Sequence, residues 1–92
     1  MKRNDLRSID LNLLVVFEAL IQERNVSRAA EQLSLGQPAV SAALVRLRKL
    51  FNDPLFLRIG RRMVPTARAL SVAQTVGPAL DSVCTAISNA KG

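Results

Sequence analysis

Histidine, tryptophan and tyrosine are absent from this 92-residue chain, and cysteine occurs once. Without histidine, the usual zinc ligand sets and imidazole acid–base catalysis are excluded. The single thiol, Cys84, rules out an internal disulfide and a cysteine-based metal cluster. It reads as a small residue at a core edge. Aromatic residues are 3% of the chain, all of them phenylalanine, so the core is built from Leu, Val, Ile, Ala and those rings. Acids number 7 against 13 Lys and Arg, and no glycine-rich phosphate loop or clustered carboxylates occur. Asp5 and Asp10 are near neighbours, for which a flexible basic terminus is the simplest account. The expectation is therefore no enzyme, no metal and no cofactor. Long apolar runs are missing too. "LNLLVVFEALI", residues 11–21, contains Asn12 and Glu18 and falls short of the ~20 residues a membrane span needs. No small-residue cleavage site follows it. These features lead us to expect a soluble, cytoplasmic protein.

What is present is apolar content of 49% and a formal net charge of +6. The length suits one small domain, or a domain plus an extension, and a core this small often draws on a partner. The charge is skewed. Arg46, Arg48, Lys49, Arg58, Arg61, Arg62 and Arg68 face a single acid, Asp53, between positions 46 and 68. A local excess of this kind favours a polyanionic partner.

Apolar spacing of three and four at Leu13, Leu14, Phe17, Leu20 and Ile21 predicts a helix over 11–23, with Asp10 at its start and Asn25 ending it. Ser27 can cap a second, two-turn helix carrying Ala29, Ala30 and Leu33, which stops by Ser34 or Leu35. The break "SLGQPAVSAAL" then holds Gly36, expected to supply a turn at positive φ, and Pro38, which suits a first helical turn. A third helix is predicted from Pro38 to Phe51. Val40, Ala43, Leu44, Leu47, Leu50 and Phe51 fall on its inner arc. Pro38, Ser41, Ala42, Val45 and Lys49 fall opposite, with Arg46 and Arg48 on the flanks.

"NDP" at 52–54 is a turn, and two short runs, 55–59 and 62–65, flank Gly60 and Arg61 as a hairpin. Thr66 can cap a last helix to about Ala90. Its apolar seam steps alternately by four and three: Ala69, Ala73, Val76, Leu80, Val83, Ile87, Ala90. That heptad pattern suits either packing on its own domain or pairing with a second chain, and pairing is the preferred reading. Pro78 lies away from the seam and should bend the helix without blocking a partner.

The predicted fold class is mostly α: a winged helix-turn-helix of three helices plus a two-stranded wing, followed by a long linker helix. Residues 1–65 form the domain and 66–92 the linker. This arrangement suits double-stranded DNA. A helix tip in the major groove would let Gln37 bond N6 and N7 of an adenine, unless it only caps the helix. Ser41 would reach a phosphate or base edge, or bond back to its own helix. Ala42 and Val45 suit thymine methyls, and Arg46, Arg48 and Lys49 suit phosphates. Arg58, Arg61 and Arg62 would place the wing against a minor groove. The rivals are a protein-interaction module built on the last helix, and an RNA or non-specific DNA binder. The first leaves the basic hairpin unexplained, and no aromatic stacking platform supports RNA.

The stretch "SRAAEQLSLGQPAVSAALVRLRKLFNDPLFLRIGRRMVPT" resembles the DNA-binding domain of LysR-type transcriptional regulators. The matching order is A-A-x-x-L, Q-P-A-V-S, L-R-x-L-F, P-L-F-x-R and P-T. The opening "DLNLLVVFEAL" is similar to the branch with nodulation and aromatic-degradation regulators. The resemblance implies a bacterial regulator that binds interrupted inverted repeats as a dimer through the linker helix, and as a tetramer in the full-length parent. It implies base reading by Gln37, Pro38 and Ser41 and a minor-groove arginine at Arg61. A small-molecule inducer would act only through a C-terminal sensing domain absent from this chain. Two departures stand out: Gly36 where many members have Ser, and Ala42 where some have Arg.

Overall fold

The structure is a computed structural model that describes residues 1–90. Three helices, α1 (Asn12–Glu23), α2 (Val26–Leu33) and α3 (Gln37–Phe51), precede a hairpin of β1 (Phe56–Ile59) and β2 (Arg62–Pro65), and α4 (Ala67–Ala90) closes the chain. This is the predicted winged helix-turn-helix with a long final helix. Positions 91 and 92 of the predicted linker lie outside the described residues. The first residues are not a loose tail: Arg3–Ser8 form a 3₁₀ helix, with the Lys2 backbone N–H donating to Asp5 at 2.8 Å.

The core follows from the apolar spacing. Phe17 is fully buried, and its ring lies 6.1 Å from both Phe51 and Phe56, so the chain's three aromatics meet at one point. Around them pack Leu13, Val16 and Leu20 of α1 and Val40, Leu44 and Leu47 of α3. Ala29 and Ala30 are buried and let α2 lie close against both neighbours. Leu50 departs from the predicted core: it is 37% exposed and lines a surface cleft with Ile9 and Leu13.

The helix ends differ from the predicted punctuation. Arg24, at φ 54°, ends α1 in the left-handed region where Asn25 was expected to do so. Asn25 is extended and caps α2 instead of Ser27, its Oδ1 accepting the Arg28 N–H at 2.9 Å. An asparagine serves both roles, and its reach to the third N–H decided the matter. Gly36 is extended at φ −72°, not left-handed. The reversal between α2 and α3 is made earlier, by Ser34 at φ 56°. Leu55, predicted to open the first strand, sits at φ 63° and so cannot extend the ladder. The strands pair antiparallel from Phe56–Pro65 to Ile59–Arg62, with Gly60 at φ 64° starting the two-residue turn. α4 begins as predicted, Thr66 Oγ1 accepting the Ala69 N–H at 3.1 Å. It runs as a single helix through Gly77 and Pro78.

Candidate nucleic-acid interface

α3 buries Val40, Ala43, Leu44 and Leu47 and turns its other face outward. Gln37, Pro38, Ser41, Ala42, Val45, Arg46 and Lys49 are all exposed, as the helical spacing requires. No acid lies anywhere in α3, and Arg48 and Lys49 stand in its last turn. The tip begins at Gly36, which caps without a side-chain bond; its carbonyl accepts from the Ala39 and Val40 N–H groups, and Pro38 has no N–H to satisfy.

The wing stands beside this face. Ser41 and Val45 of α3 and Arg58 of β1 line one cleft, floored by Val26, Leu44 and Met63. Phe56, Arg58 and Met63 share one face of the hairpin: Phe56 and Met63 are buried at its base, Arg58, two residues on from Phe56 and opposite Met63, is exposed at the cleft, and Arg61 and Arg62 are exposed at the hairpin end. So the structure brings Ser41, Val45 and Arg58 together and holds Arg61 and Arg62 at the hairpin end.

Three residues do something other than expected, or something more. Arg48 is exposed, but much of its guanidinium is engaged within the chain. Its Nε donates to the Pro54 carbonyl at 2.8 Å and a terminal nitrogen donates to the Phe56 carbonyl at 3.1 Å. That side chain fixes the wing to the end of α3. Arg46 makes a loose ion pair with Asp10 at 3.5 Å. Both side chains are solvated, so the pair is worth about 0–1 kcal/mol and yields readily to a stronger anion. Asp53, read as a turn residue, is a structural hub. Its Oδ2 accepts from the Leu55 N–H and the Thr66 hydroxyl, each at 2.8 Å. Those bonds, the Leu55 N–H foremost, hold its carboxyl below the ordinary carboxylate range, with Arg68 adding a smaller pull in the same direction. Asp53 and Thr66 lie on opposite sides of the wing in sequence, and neither carries a signal for such a contact across it.

Sequence reasoning also missed Arg24 and Arg28. They reach the same cleft as Arg61 and Arg62, beside the α1–α2 turn. Their spacing of four around a helix break gave no hint of meeting the wing.

The seam of α4 divides in two. Ala69 is fully buried on its own domain, so it has no surface for a partner chain. Ala73 and Val76 lie half-buried against Phe17, Glu18 and Ile21 of α1. Leu80 is half-buried, while Val83 and Ile87 are 53% and 52% exposed. Every residue from 81 to 90 is exposed. Cys84 is among them, so it is not at a core edge within the chain. Among the described residues, no helix is long and apolar enough to cross a membrane.

Comparisons with known proteins agree on this fold. Residues 11–70 match the model of the bacterial regulatory helix-turn-helix protein, lysR family. The HTH-type transcriptional regulator LeuO of Escherichia coli is 51% identical over 83 residues, covering 90% of this chain and 26% of that protein. A crystal structure described as a "probable transcriptional regulator" of Pseudomonas aeruginosa superposes with a TM-score of 0.83 at 49% identity, covering 89% of this chain and 28% of that one. The BenM DNA-binding domain in complex with catB site 1 DNA superposes with a TM-score of 0.83 at 25% identity, covering 90% of this chain and 93% of that one. The chain spans about a quarter of the length of the curated relatives it matches.

Proposed function

Because the chain belongs to the lysR family of bacterial regulatory helix-turn-helix proteins, we propose that it binds double-stranded DNA sequence-specifically as the reading head of a transcription regulator. The observation that carries this reading is the outer face of α3: exposed, small at its tip, cationic at its end and free of acids. Such a face enters a major groove without steric or electrostatic penalty. The BenM domain, which shares the fold, is seen on DNA, and that supports the reading.

In this reading Gln37 bonds an adenine edge at the tip of α3, with Pro38 fixing the backbone that presents it. Ser41 reaches a phosphate or base edge, and Ala42 and Val45 meet thymine methyls. Arg46 and Lys49 contact phosphates. Arg58, Arg61 and Arg62 put the wing on the adjacent minor groove, where A·T-rich sequence concentrates negative potential. Two functional parts follow: a reading domain over 1–65 and a pairing helix from 66 onward. Two chains pair through Leu80, Val83 and Ile87 and read an interrupted inverted repeat. In a longer chain that carries this domain, tetramers would form, and a small-molecule inducer would act through a separate C-terminal domain.

The test is selection from a random duplex DNA pool at near-physiological salt, followed by sequencing. Enrichment of an inverted repeat with A·T-rich flanks is the expected outcome. Binding without enrichment that vanishes as salt rises would overturn sequence-specific reading.

A further inference from the structure

The wing has a second cationic surface, beside the turn between α1 and α2. Arg24, at the left-handed end of α1, and Arg28, in the first turn of α2, share a cleft with Arg61 and Arg62 at the wing tip. Glu23 is the one acid lining it. Among the described residues the one ion pair is Arg46 with Asp10, so none of these four guanidinium groups has a carboxylate partner. Like charges collected in this way repel one another, and a bound anion would relieve the repulsion. Arg24 is also held in place: its Nε donates to the Ile21 carbonyl at 2.8 Å, which leaves the terminal nitrogens of the fork for an outside ligand. The backbone of Arg28 is fixed by the cap of α2, its N–H donating to Asn25 at 2.9 Å. A guanidinium fork held like that of Arg24 matches the spacing of phosphate oxygens.

Position selects the source of that phosphate. Met63 lines both this cleft and the one formed by Ser41, Val45 and Arg58. The two clefts are therefore neighbours across one side chain. In the DNA-binding reading, a strand running from the groove that holds α3 to the groove beneath the wing would pass beside both clefts.

We propose that Arg24 and Arg28, beside the wing arginines Arg61 and Arg62, form a notch that grips the phosphodiester backbone bordering the minor groove on which the wing lies. The proposal rests on the DNA-binding reading and adds to it two contacts from the α1–α2 turn. It also assigns the left-handed arginine a role in presenting its side chain to the wing.

The experiment is the salt dependence of duplex binding, on the selected sequence and on a scrambled one. It compares the 92-residue chain with an Arg24→Asn/Arg28→Gln variant and an Arg24→Lys/Arg28→Lys variant. Asn tolerates the left-handed backbone at 24, and both positions are exposed, so folding should be retained. The neutral variant should flatten the slope of log K against log salt by about two and weaken binding tens-fold near 0.1 M salt, equally on both sequences. The lysine variant should keep the slope and lose a smaller part of the affinity. Wild-type slope and affinity in the neutral variant would overturn the notch while leaving DNA binding by α3 intact. Absence of DNA binding by the unaltered chain would sink the DNA reading and the notch with it. A free anion is the other source of phosphate. Protection by millimolar inorganic phosphate that the neutral variant loses, without any change in the DNA slope, would overturn the assignment to DNA.

Discussion

Thr66 Oγ1 donates to Asp53 Oδ2 at 2.8 Å and accepts from the backbone N–H of Ala69 at 3.1 Å. One hydroxyl thus joins the turn after α3 to the start of α4. The Thr66 N–H also donates to the Leu55 carbonyl at 2.8 Å, so Leu55 is held at both its backbone groups. This explains how a fully buried leucine is kept at φ 63°, a conformation that costs about 1–2 kcal/mol for a residue with a Cβ. Removing the hydroxyl while keeping the shape, as in Thr66→Val, removes a helix cap and a brace together. The expected loss is about 1–2 kcal/mol, read from urea unfolding.

The same junction makes stability depend on acid. Folding lowers the pKa of Asp53, chiefly through the Leu55 N–H and then the Thr66 hydroxyl. Its contribution is therefore full above the unfolded value, about 3.9, and is lost as pH falls through the lowered folded value. Thermal unfolding of Asp53→Asn should show a lower midpoint at pH 7 and a shallower fall between pH 4 and pH 2 than the unaltered chain. Parallel curves for the two proteins would show that another carboxylate governs the acid limb.

Base reading and phosphate contact differ in what their loss does. Gln37→Ala should cost about 1–3 kcal/mol on the preferred sequence and little on others, so preference at particular base pairs relaxes. Lys49→Ala should weaken all sequences alike and flatten the salt slope by about one. Competition binding against single-base variants of the selected site separates the two. Equal weakening on every sequence by Gln37→Ala would remove it from base readout.

The helices and the wing were legible because each element carries a period and a stop. Leu13, Phe17 and Leu20 mark one face, and Gly60 between two β-branched and basic runs marks a hairpin tip. Which residue makes a given turn was less legible. Asn25, Gly36 and Ser34 are all competent for several cap positions, and small differences in tertiary fit chose among them. Arg48 illustrates the harder limit. On a wheel it is one more outward cation, and its bonds to Pro54 and Phe56 exist because the chain folds back over the end of α3. The meeting of Arg24 and Arg28 with the wing, more than 30 residues on in sequence, is of the same kind.

Gly36 offers a gain of stability. It occupies the N-cap of α3 at φ −72° with no side-chain bond, and a Cβ there would meet the Pro38 ring at 3.6 Å, an ordinary contact. Serine fits this backbone, supplies a cap to the first turn and narrows the unfolded ensemble. Gly36→Ser should add about 0.5–1 kcal/mol in urea unfolding. A destabilised variant would show that the break between α2 and α3 needs backbone freedom that its angles do not reveal.

The final prediction concerns the free end of α4. In the single chain, Val83 and Ile87 are about half exposed and the whole stretch from 81 to 90 packs on nothing. An isolated helical end of this length is marginal in water, and apolar residues repeating by four and three favour a second helix as its cover. Val83→Glu/Ile87→Glu puts carboxylates into that seam without touching the core of the domain. Light scattering should give the unaltered chain twice the 10.0 kDa of one copy and the variant a single copy. Thermal unfolding of the variant should become independent of protein concentration, as mass action requires once pairing is lost. On DNA, its affinity for an inverted repeat should fall to that for a half-site, with Gln37-dependent preference retained. If the unaltered chain already scatters as one copy at working concentration, pairing through this seam is wrong for these 92 residues, and the α4 face must be covered in another way.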